Sequence, residues 1–404
     1  MMRWLLILTV LWSEACLQLD LGGRPCTDDG RCLEGFVCVD GRCLSVQTAA
    51  EGEGEGEGEG EGEGEGEGEG EGEGEGEGES NTPPTATADP VGTYGQRTVS
   101  IPIATSDVDG DAVAVVAASS PLGRVSVNGA TVEFTAVRGQ RGAFNVQVVV
   151  RDARGAEAAL TVTVTVVLES SCRRIQSAGF DEGDAVYELV ATNPDAVYDA
   201  WCDMAGGGFT LVMKVDADDA DFTFDSSRWT SPATLPFGTS SSATDASAWL
   251  TSARSVPVRR LRIGLVRAGV ARFVNVTIGD NPAGLALVPL MATGTRQVST
   301  GPTERADWLS ALADGGDPQK APGGLQSLCN RQGISLGGPQ AVRVGFQANE
   351  QSDCNTPDSA IGVGLGGPVA AGFRGCDPHD ACPPNDASTH PVLSRFALVF
   401  VREE

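Results

Sequence analysis

Residues 51–78 repeat the dipeptide Glu-Gly fourteen times, and Glu79 adds one more carboxylate. No packed fold can run through such a stretch. Glycine maximises backbone freedom, glutamates repel one another, and no apolar side chain is present to bury. The expectation is an extended, disordered spacer, bounded at 49–80, that divides the 404-residue chain into a short N-terminal piece and a long C-terminal one. The repeat also dominates the bulk charge of −27, which comes from 55 acidic and 28 basic residues. Without the 15 glutamates of positions 51–79, 40 acidic residues stand against 28 basic ones, a net of −12. Such a remainder offers no basic groove, so nucleic acid is not an expected partner. Mild acidity suits a soluble surface protein or cation sites.

At the N-terminus, Arg3 precedes an apolar run from Trp4 to Trp12, followed by Ser13-Glu14-Ala15-Cys16. The run is too short to cross a bilayer as a helix and reads as an export signal over residues 1–15. Two processing outcomes stay open. One is ordinary cleavage at the small residues Ser13 and Ala15. The other is a bacterial lipoprotein signal in which Cys16 becomes the lipidated first residue, although Ser13 and Glu14 depart from the usual lipobox. Parity favours the second: of 11 cysteines, setting Cys16 aside leaves ten to pair. The expected location is outside the cytoplasm, anchored at the outer membrane by that lipid or fully extracellular. Residues 16–48 carry Cys26, Cys32, Cys38 and Cys43 among Gly, Asp and Arg. A segment this short builds no core and needs cross-links. Zinc is the alternative, but zinc cysteines usually come in closer pairs. Two disulfides of open pairing are expected.

Residues 81–169 change character. Val99–Ile103, Arg124–Val127, Thr131–Phe134, Phe144–Val148 and Leu160–Val166 alternate apolar and polar residues, with turns rich in Gly, Asp and Asn between them. Short amphipathic strands at regular spacing indicate a β-sandwich. The stretch resembles the cadherin-like, immunoglobulin-like repeats of bacterial surface proteins, which begin "P-x-A-x-x-D" and carry "D-x-D-G-D". The counterparts here are Pro84–Asp89 and Asp107-Val108-Asp109-Gly110-Asp111. Asp107, Asp109 and Asp111 on one tight turn are candidate Ca²⁺ ligands, because Ca²⁺ prefers oxygen donors. The plainer reading is a solvated turn in which the aspartates bond the local backbone.

Residues 170–404 form the third unit. Phe209–Val215, Leu261–Val266, Val342–Phe346 and Phe396–Val401 read as strands, the last three apolar enough to be central. Helix is sparse; Glu304–Ala313 is the best candidate, with Ala306, Leu309 and Ala313 on one face. The opening motifs are Ser171-Cys172-Arg173-Arg174-Ile175, Gly183–Tyr187, Trp201-Cys202-Asp203-Met204 and Gly206-Gly207-Gly208-Phe209-Thr210-Leu211-Val212. In this order they resemble the start of a fibrinogen-related domain. Ala348–Gly364, with Cys354-Asn355-Thr356 at its centre, is similar to the intelectin branch of that superfamily. The resemblance covers Cys172–Trp229 and Val342–Val401; residues 240–325 carry no matching motif. It implies an α+β fold with irregular loops, in a chain that is multidomain overall.

Intelectins are Ca²⁺-dependent lectins that bind a vicinal sugar diol directly on the ion. The resemblance therefore implies a glycan or surface polysaccharide as partner and Ca²⁺ as cofactor. Carried over residue by residue, the family's next glutamate falls on Pro357, which offers no side-chain ligand. Its first histidine falls on Asp358, and the following histidine and cysteine fall on Ser359 and Ala360. Ser388-Thr389-His390-Pro391 stands where the family has aromatic sugar-flanking residues. Asp216 and Asp218 lie where intelectins place another ion-binding loop. Independently of the family, Glu350, Asp353, Asn355 and Asp358 put four oxygen donors within nine residues. Asp377, Asp380 and Asp386 add three more nearby. Oxygen-only clusters suit Ca²⁺ over transition metals; the alternative is a loop kept solvated by its charges. The expected disulfides here are Cys172–Cys202, Cys329–Cys354 and Cys376–Cys382.

Catalysis finds little support. The only histidines are His379 and His390, and no serine stands in a G-x-S-x-G elbow. A site formed by Cys376, His379 and Cys382 around zinc is a minor alternative. Two function classes follow. One is a cell-surface, Ca²⁺-dependent carbohydrate-binding lipoprotein. The other is a structural or adhesive display protein whose C-terminal domain binds protein.

Overall fold

The computed structural model describes residues 36–39, 42–45, 80–191, 196–229, 246–279, 281–299, 302–313, 328–349, 351–352, 355–367, 369–375 and 396–403. The signal segment, Cys16, Cys26, Cys32, the Glu-Gly repeat, Glu350, Asp353, Cys354 and the 376–395 loop lie outside the described residues. Contacts divide the chain into two units, residues 1–76 and 77–404. The first contains an antiparallel hairpin of Phe36–Val39 and Arg42–Ser45, with Cys38 opposite Cys43.

The second unit begins with a β-sandwich. One sheet orders Val91–Tyr94, Glu157–Val167, Gly142–Arg151 and Ala114–Ser119; the other orders Thr98–Pro102, Thr131–Ala136 and Gly123–Asn128. A short pair, Thr85–Thr87 with Ala104–Ser106, adjoins them. The period-2 pattern places Val146, Val148 and Val150, and Val162, Val164 and Val166, inward against Ile101, Val132 and Phe134. Val91–Tyr94 pairs parallel to the end of Glu157–Val167, whereas the other ladders of the sandwich are antiparallel.

Four residues after that strand the C-terminal domain starts, at a helix over Cys172–Ser177 capped by the Ser171 hydroxyl. Two antiparallel sheets follow. The first orders Ala185–Val190, Val197–Asp203, Phe209–Asp216, Phe396–Arg402, Arg260–Arg267 and Val270–Thr277, with Ala248–Trp249 paired to Phe209–Asp216. The second orders Arg296–Ser299, Arg331–Leu336, Val342–Ala348, Ser359–Leu365 and Ala371–Gly375. One core joins the two, with Val212, Ile263, Val399 and Val401 from the first sheet and Ile334, Val344, Ile361 and Val363 from the second. Trp229, Trp249 and Trp308 fill it. The helix predicted over Glu304–Ala313 spans Pro302–Leu312 and contributes Trp308, whose indole N–H reaches Gln332 Oε1 at 3.1 Å.

Cys172 and Cys202 are joined, with Cα atoms 5.4 Å apart, and Cys329 is also disulfide-bonded. The first bond closes a loop of 30 residues in sequence, a constraint worth about 3.6 kcal/mol through the unfolded chain.

Glycines cross the second sheet in register: Gly333 opposite Gly345, Gly345 opposite Gly362, and Gly362 opposite Gly372. A Cβ on Gly345 would stand 2.1 Å from the Ile361 carbonyl oxygen, and one on Gly362 2.1 Å from that of Val344. Backbone occupies the space that side chains would need. Gly345→Ala is therefore expected to cost at least about 3 kcal/mol in chemical denaturation. Gly337→Ala, where nothing lies within 4 Å, should cost less than about 1 kcal/mol. Equal costs would show that the close approach is not the constraint.

Candidate metal centre

Among the described residues, one group of acidic side chains comes close enough to share an ion. Carboxylate oxygens of Asp107, Asp109 and Asp111 all lie within 4.8 Å of one another. The turn is held by its own first residue. Asp107 Oδ1 accepts the Asp109 N–H at 2.8 Å and the Asp111 N–H at 3.3 Å. Gly110 supplies the left-handed conformation (φ +82°) that lets the chain return. The spacing of alternate aspartates thus presents three carboxylates on one side of a loop.

Four further residues complete the surroundings. The Thr82 N–H donates to Asp109 Oδ2 at 2.6 Å, tying the chain's entry into the sandwich to the turn. Next to it, the Asn81 amide donates to Asp152 Oδ2 at 3.0 Å. Arg154 Nε stands 3.1 Å from Asp111 Oδ2 and supplies one positive charge. Asp107 Oδ2 and Asn81 Oδ1 are buried acceptor atoms with no hydrogen-bond donor. Buried oxygens without donors, beside three carboxylates and one guanidinium, fit a hard cation. The turn sits at the end of the sandwich remote from the C-terminal domain, separated from it by the 11-residue Glu157–Val167 strand, about 35 Å.

Asp152 organises this tip. Burial alone would raise its pKa. Hydrogen bonds from the Ala156 N–H, the Asn81 amide and the Gly155 and Arg154 N–H groups outweigh burial and hold the carboxyl below the ordinary range. Neither Asn81 nor Asp152 was singled out from sequence. The only signal for Asp152 is the Asp-x-x-Gly turn of Asp152-Ala153-Arg154-Gly155, and Asn81 carries none.

The other predicted donors are distributed differently. Asn355 and Asp358 lie in the loop between Val342–Ala348 and Ser359–Leu365. That loop is built around Asn349, which is fully buried. Its amide nitrogen donates to the Thr356 carbonyl at 2.8 Å and its oxygen accepts the Gln351 N–H at 3.2 Å. Its backbone exchanges bonds with Cys329. The Asp358 N–H reaches the Ala348 carbonyl at 3.0 Å, leaving the half-buried carboxylate at the mouth of the strand. Pro357 is buried, its ring against Gly338. Asp216 and Asp218 form an Asx turn, with the Asp218 N–H on Asp216 Oδ1 at 3.0 Å. That turn packs on the opposite end of the Ser359–Leu365 strand, through Ala217 and Ala370. It is about 20 Å from Asp358, so the structure does not gather Asp216, Asp218 and Asp358 into one site.

A cleft of about 260 Å³ lies where the sandwich meets the C-terminal domain, lined by Tyr94, Arg97, Arg138, Tyr187, Glu188 and Asp199. Its charges are matched across the boundary. Arg97 pairs with Glu182 and lies over the Tyr187 ring, Arg138 pairs with Asp199 at 2.9 Å, and the Gly139 N–H donates to Glu188 Oε1 at 2.7 Å. The Tyr94 hydroxyl donates to the Glu188 carbonyl at 2.7 Å and accepts the Glu169 N–H at 3.2 Å. Burial, ahead of every other influence, raises its pKa well above the usual tyrosine value. The cleft is a joint.

Residues 81–165 match the bacterial Ig domain family, which defines the sandwich as immunoglobulin-like. No curated protein matches the chain at a significant level. Solved structures share parts of it. A nucleoside hydrolase-related hypothetical protein from Saccharophagus degradans is 17% identical over 22% of this chain and 26% of its own, with a TM-score of 0.19. Domains 4 and 5 of the S-layer protein SbsC are 13% identical over 22% and 53%, with a TM-score of 0.17. A chain of the titin M10–obscurin-like 1 Ig complex is 19% identical over 21% and 94%, with a TM-score of 0.15. The chain spans about a quarter of the first and half of the second. Scores this low define no shared whole-chain fold.

Two outcomes are expected. Ca²⁺ titrated into the protein should raise its thermal midpoint with a Kd in the range of about 10⁻⁴–10⁻³ M found for extracellular modules. Asp109→Asn should weaken that effect about tenfold. Separately, because folding lowers the Asp152 pKa, its contribution is complete above the unfolded-state value of about 4. It is then lost as pH falls through the lower folded-state value. Denaturation of wild type against Asp152→Asn should therefore differ at pH 7 and converge in stronger acid.

Proposed function

We propose that this protein is an exported surface-recognition protein whose C-terminal domain binds carbohydrate with the help of Ca²⁺. The Glu-Gly spacer and the immunoglobulin-like domain would carry that domain away from the envelope, with Cys16 as the lipid anchor. Bacterial Ig-like domains are typically found on surface or extracellular proteins. No described helix is long and apolar enough to cross a membrane.

The observation that carries the binding reading is the loop clamped by Asn349. A fully buried asparagine with both ends of its amide engaged ties Gln351 and Thr356 to the end of the strand. It thereby holds Asp358 and Asn355 at one edge of a rigid sheet. Preorganised oxygen donors of this kind suit a Ca²⁺ ion whose remaining positions are filled by water or by sugar hydroxyls. The Cys172–Cys202 bond and the antiparallel sheets behind it are compatible with the fibrinogen-related, intelectin-like family that the motifs resemble.

One observation favours the second reading, a display protein that binds protein. Pro357 stands where the resembled family has a glutamate ligand, and its ring is turned inward against Gly338. That removes one ligand and narrows the ion's support. A glycan array probed with and without chelator separates the two readings. The lectin reading expects retention that is lost with chelator and reduced at least tenfold by Asp358→Ala. Chelator-insensitive retention, or none on any glycan, rejects it in favour of protein display.

A further inference from the structure

Arginines gather on the outer face of the first C-terminal sheet, remote from the Asn349 loop, which belongs to the second sheet. Arg260 and Arg402 are directly opposite in antiparallel strands, so their Cβ atoms lie about 5 Å apart on one face. Like charges in this position destabilise a sheet. Arg262 shares that face two residues along, since Leu261, Ile263 and Val401 turn the other way into the core. Arg173 approaches from the Cys172–Ser177 helix: a Cβ on Gly208 would stand 2.8 Å from its Cα. The neighbouring Gly207 carbonyl accepts a bond from Arg402 Nη1 at 3.1 Å.

Compensation is incomplete. Arg262 pairs with Asp203 at 3.0 Å and Arg174 with Glu403 at 3.0 Å. Arg173, Arg260 and Arg402 make no ion pair among the described residues; Arg173 bonds the neutral Gln176 side chain. Arg402 Nε is buried without a hydrogen-bond partner. Burial, and then the charges of Arg260 and Arg173, hold the Arg402 pKa below its ordinary value. The Phe209 ring underlies two of the guanidinium groups, 5.0 Å from Arg402 and 5.6 Å from Arg262. Like charges held this close repel one another, and an anion placed between them relieves that repulsion.

We propose that Arg173, Arg260 and Arg402 form a binding site for an oxyanion, a sulfate or phosphate ester displayed on a polymer. Planar guanidinium forks match such oxygens in bidentate fashion. Arg260 is exposed and Arg173 and Arg402 are half-buried at this end of the strands, so a group projecting from a chain reaches them. The site shares no residue with the loop that carries the carbohydrate reading and needs no Ca²⁺.

The test uses the full chain on immobilised dextran sulfate, with neutral dextran as control and inorganic sulfate as competitor. Retention is expected on dextran sulfate only, weakening as salt rises and unaffected by chelator. Arg260→Gln should weaken it about tenfold while leaving the thermal midpoint unchanged or higher, because the repulsion across the strands is relieved. Arg124→Gln, an exposed arginine on the sandwich, should change neither. Absent retention by wild type, or equal loss in Arg260→Gln and Arg124→Gln, overturns the site. Inorganic sulfate that displaces the protein at matched sulfate concentration overturns the polymeric ligand.

Discussion

The strand Phe396–Arg402 holds the C-terminal domain together. It lies between Phe209–Asp216 and Arg260–Arg267, and both ladders run almost its full length. Val399 and Val401 project from it into the main core, while Phe396, Leu398 and Phe400 fill the smaller cluster on the other face. Without it, the strands before Asp216 and the hairpin after Arg260 have no backbone partner in common. A strand buried on both faces and paired on both edges cannot be replaced by water. Its residues are accordingly a continuous apolar run, Phe-Ala-Leu-Val-Phe-Val, rather than an alternating one.

The same strand links stability to the proposed anion site. Its last residue, Arg402, carries the charge that faces Arg260, so sheet closure itself brings like charges together. On the sandwich side of the Cys172–Ser177 helix, the Tyr94 hydroxyl fixes the sandwich to the backbone of Glu169 and Glu188. Tyr94, Leu168, Cys172, Ile175 and Tyr187 share one cluster across the boundary. The immunoglobulin-like domain is thus built into the C-terminal domain's packing, and its acidic tip is held at the far end of the joined body.

Much of this was legible in the sequence where side chains alternate. Phe144–Val148 and Leu160–Val166 announce themselves because every second residue is a valine, leucine or phenylalanine that must face a core. Val91–Tyr94 and Ala114–Ser119 do not. The first is short and holds a glycine, and the second is a run of small residues without a period, four of its six exposed at a sheet edge. At the candidate site the three aspartates of the turn are visible as a motif, whereas Asn81 and Asp152 reach it from positions about 26 and 45 residues away in sequence. Spacing carries no record of such approaches. The fibrinogen-related reading rests on motif order; of what it implied, the Cys172–Cys202 bond is present in the structure. It also divides the expected donors, with Asp216 and Asp358 at opposite ends of one strand.

The glycine row across the second sheet has a consequence for tracing distant kin. Four of the five strands contribute one glycine each to the row, and hydrogen-bond register, not sequence interval, fixes which positions they occupy: 333, 345, 362 and 372. Loop insertions between the strands can change the intervals freely without disturbing the row. A gapped template of four strands, each with an obligatory glycine followed by an apolar residue, would find such sheets where pairwise identity has faded. Any replacement within the row would have to be accompanied by a shift of a whole strand, so these positions should drift last.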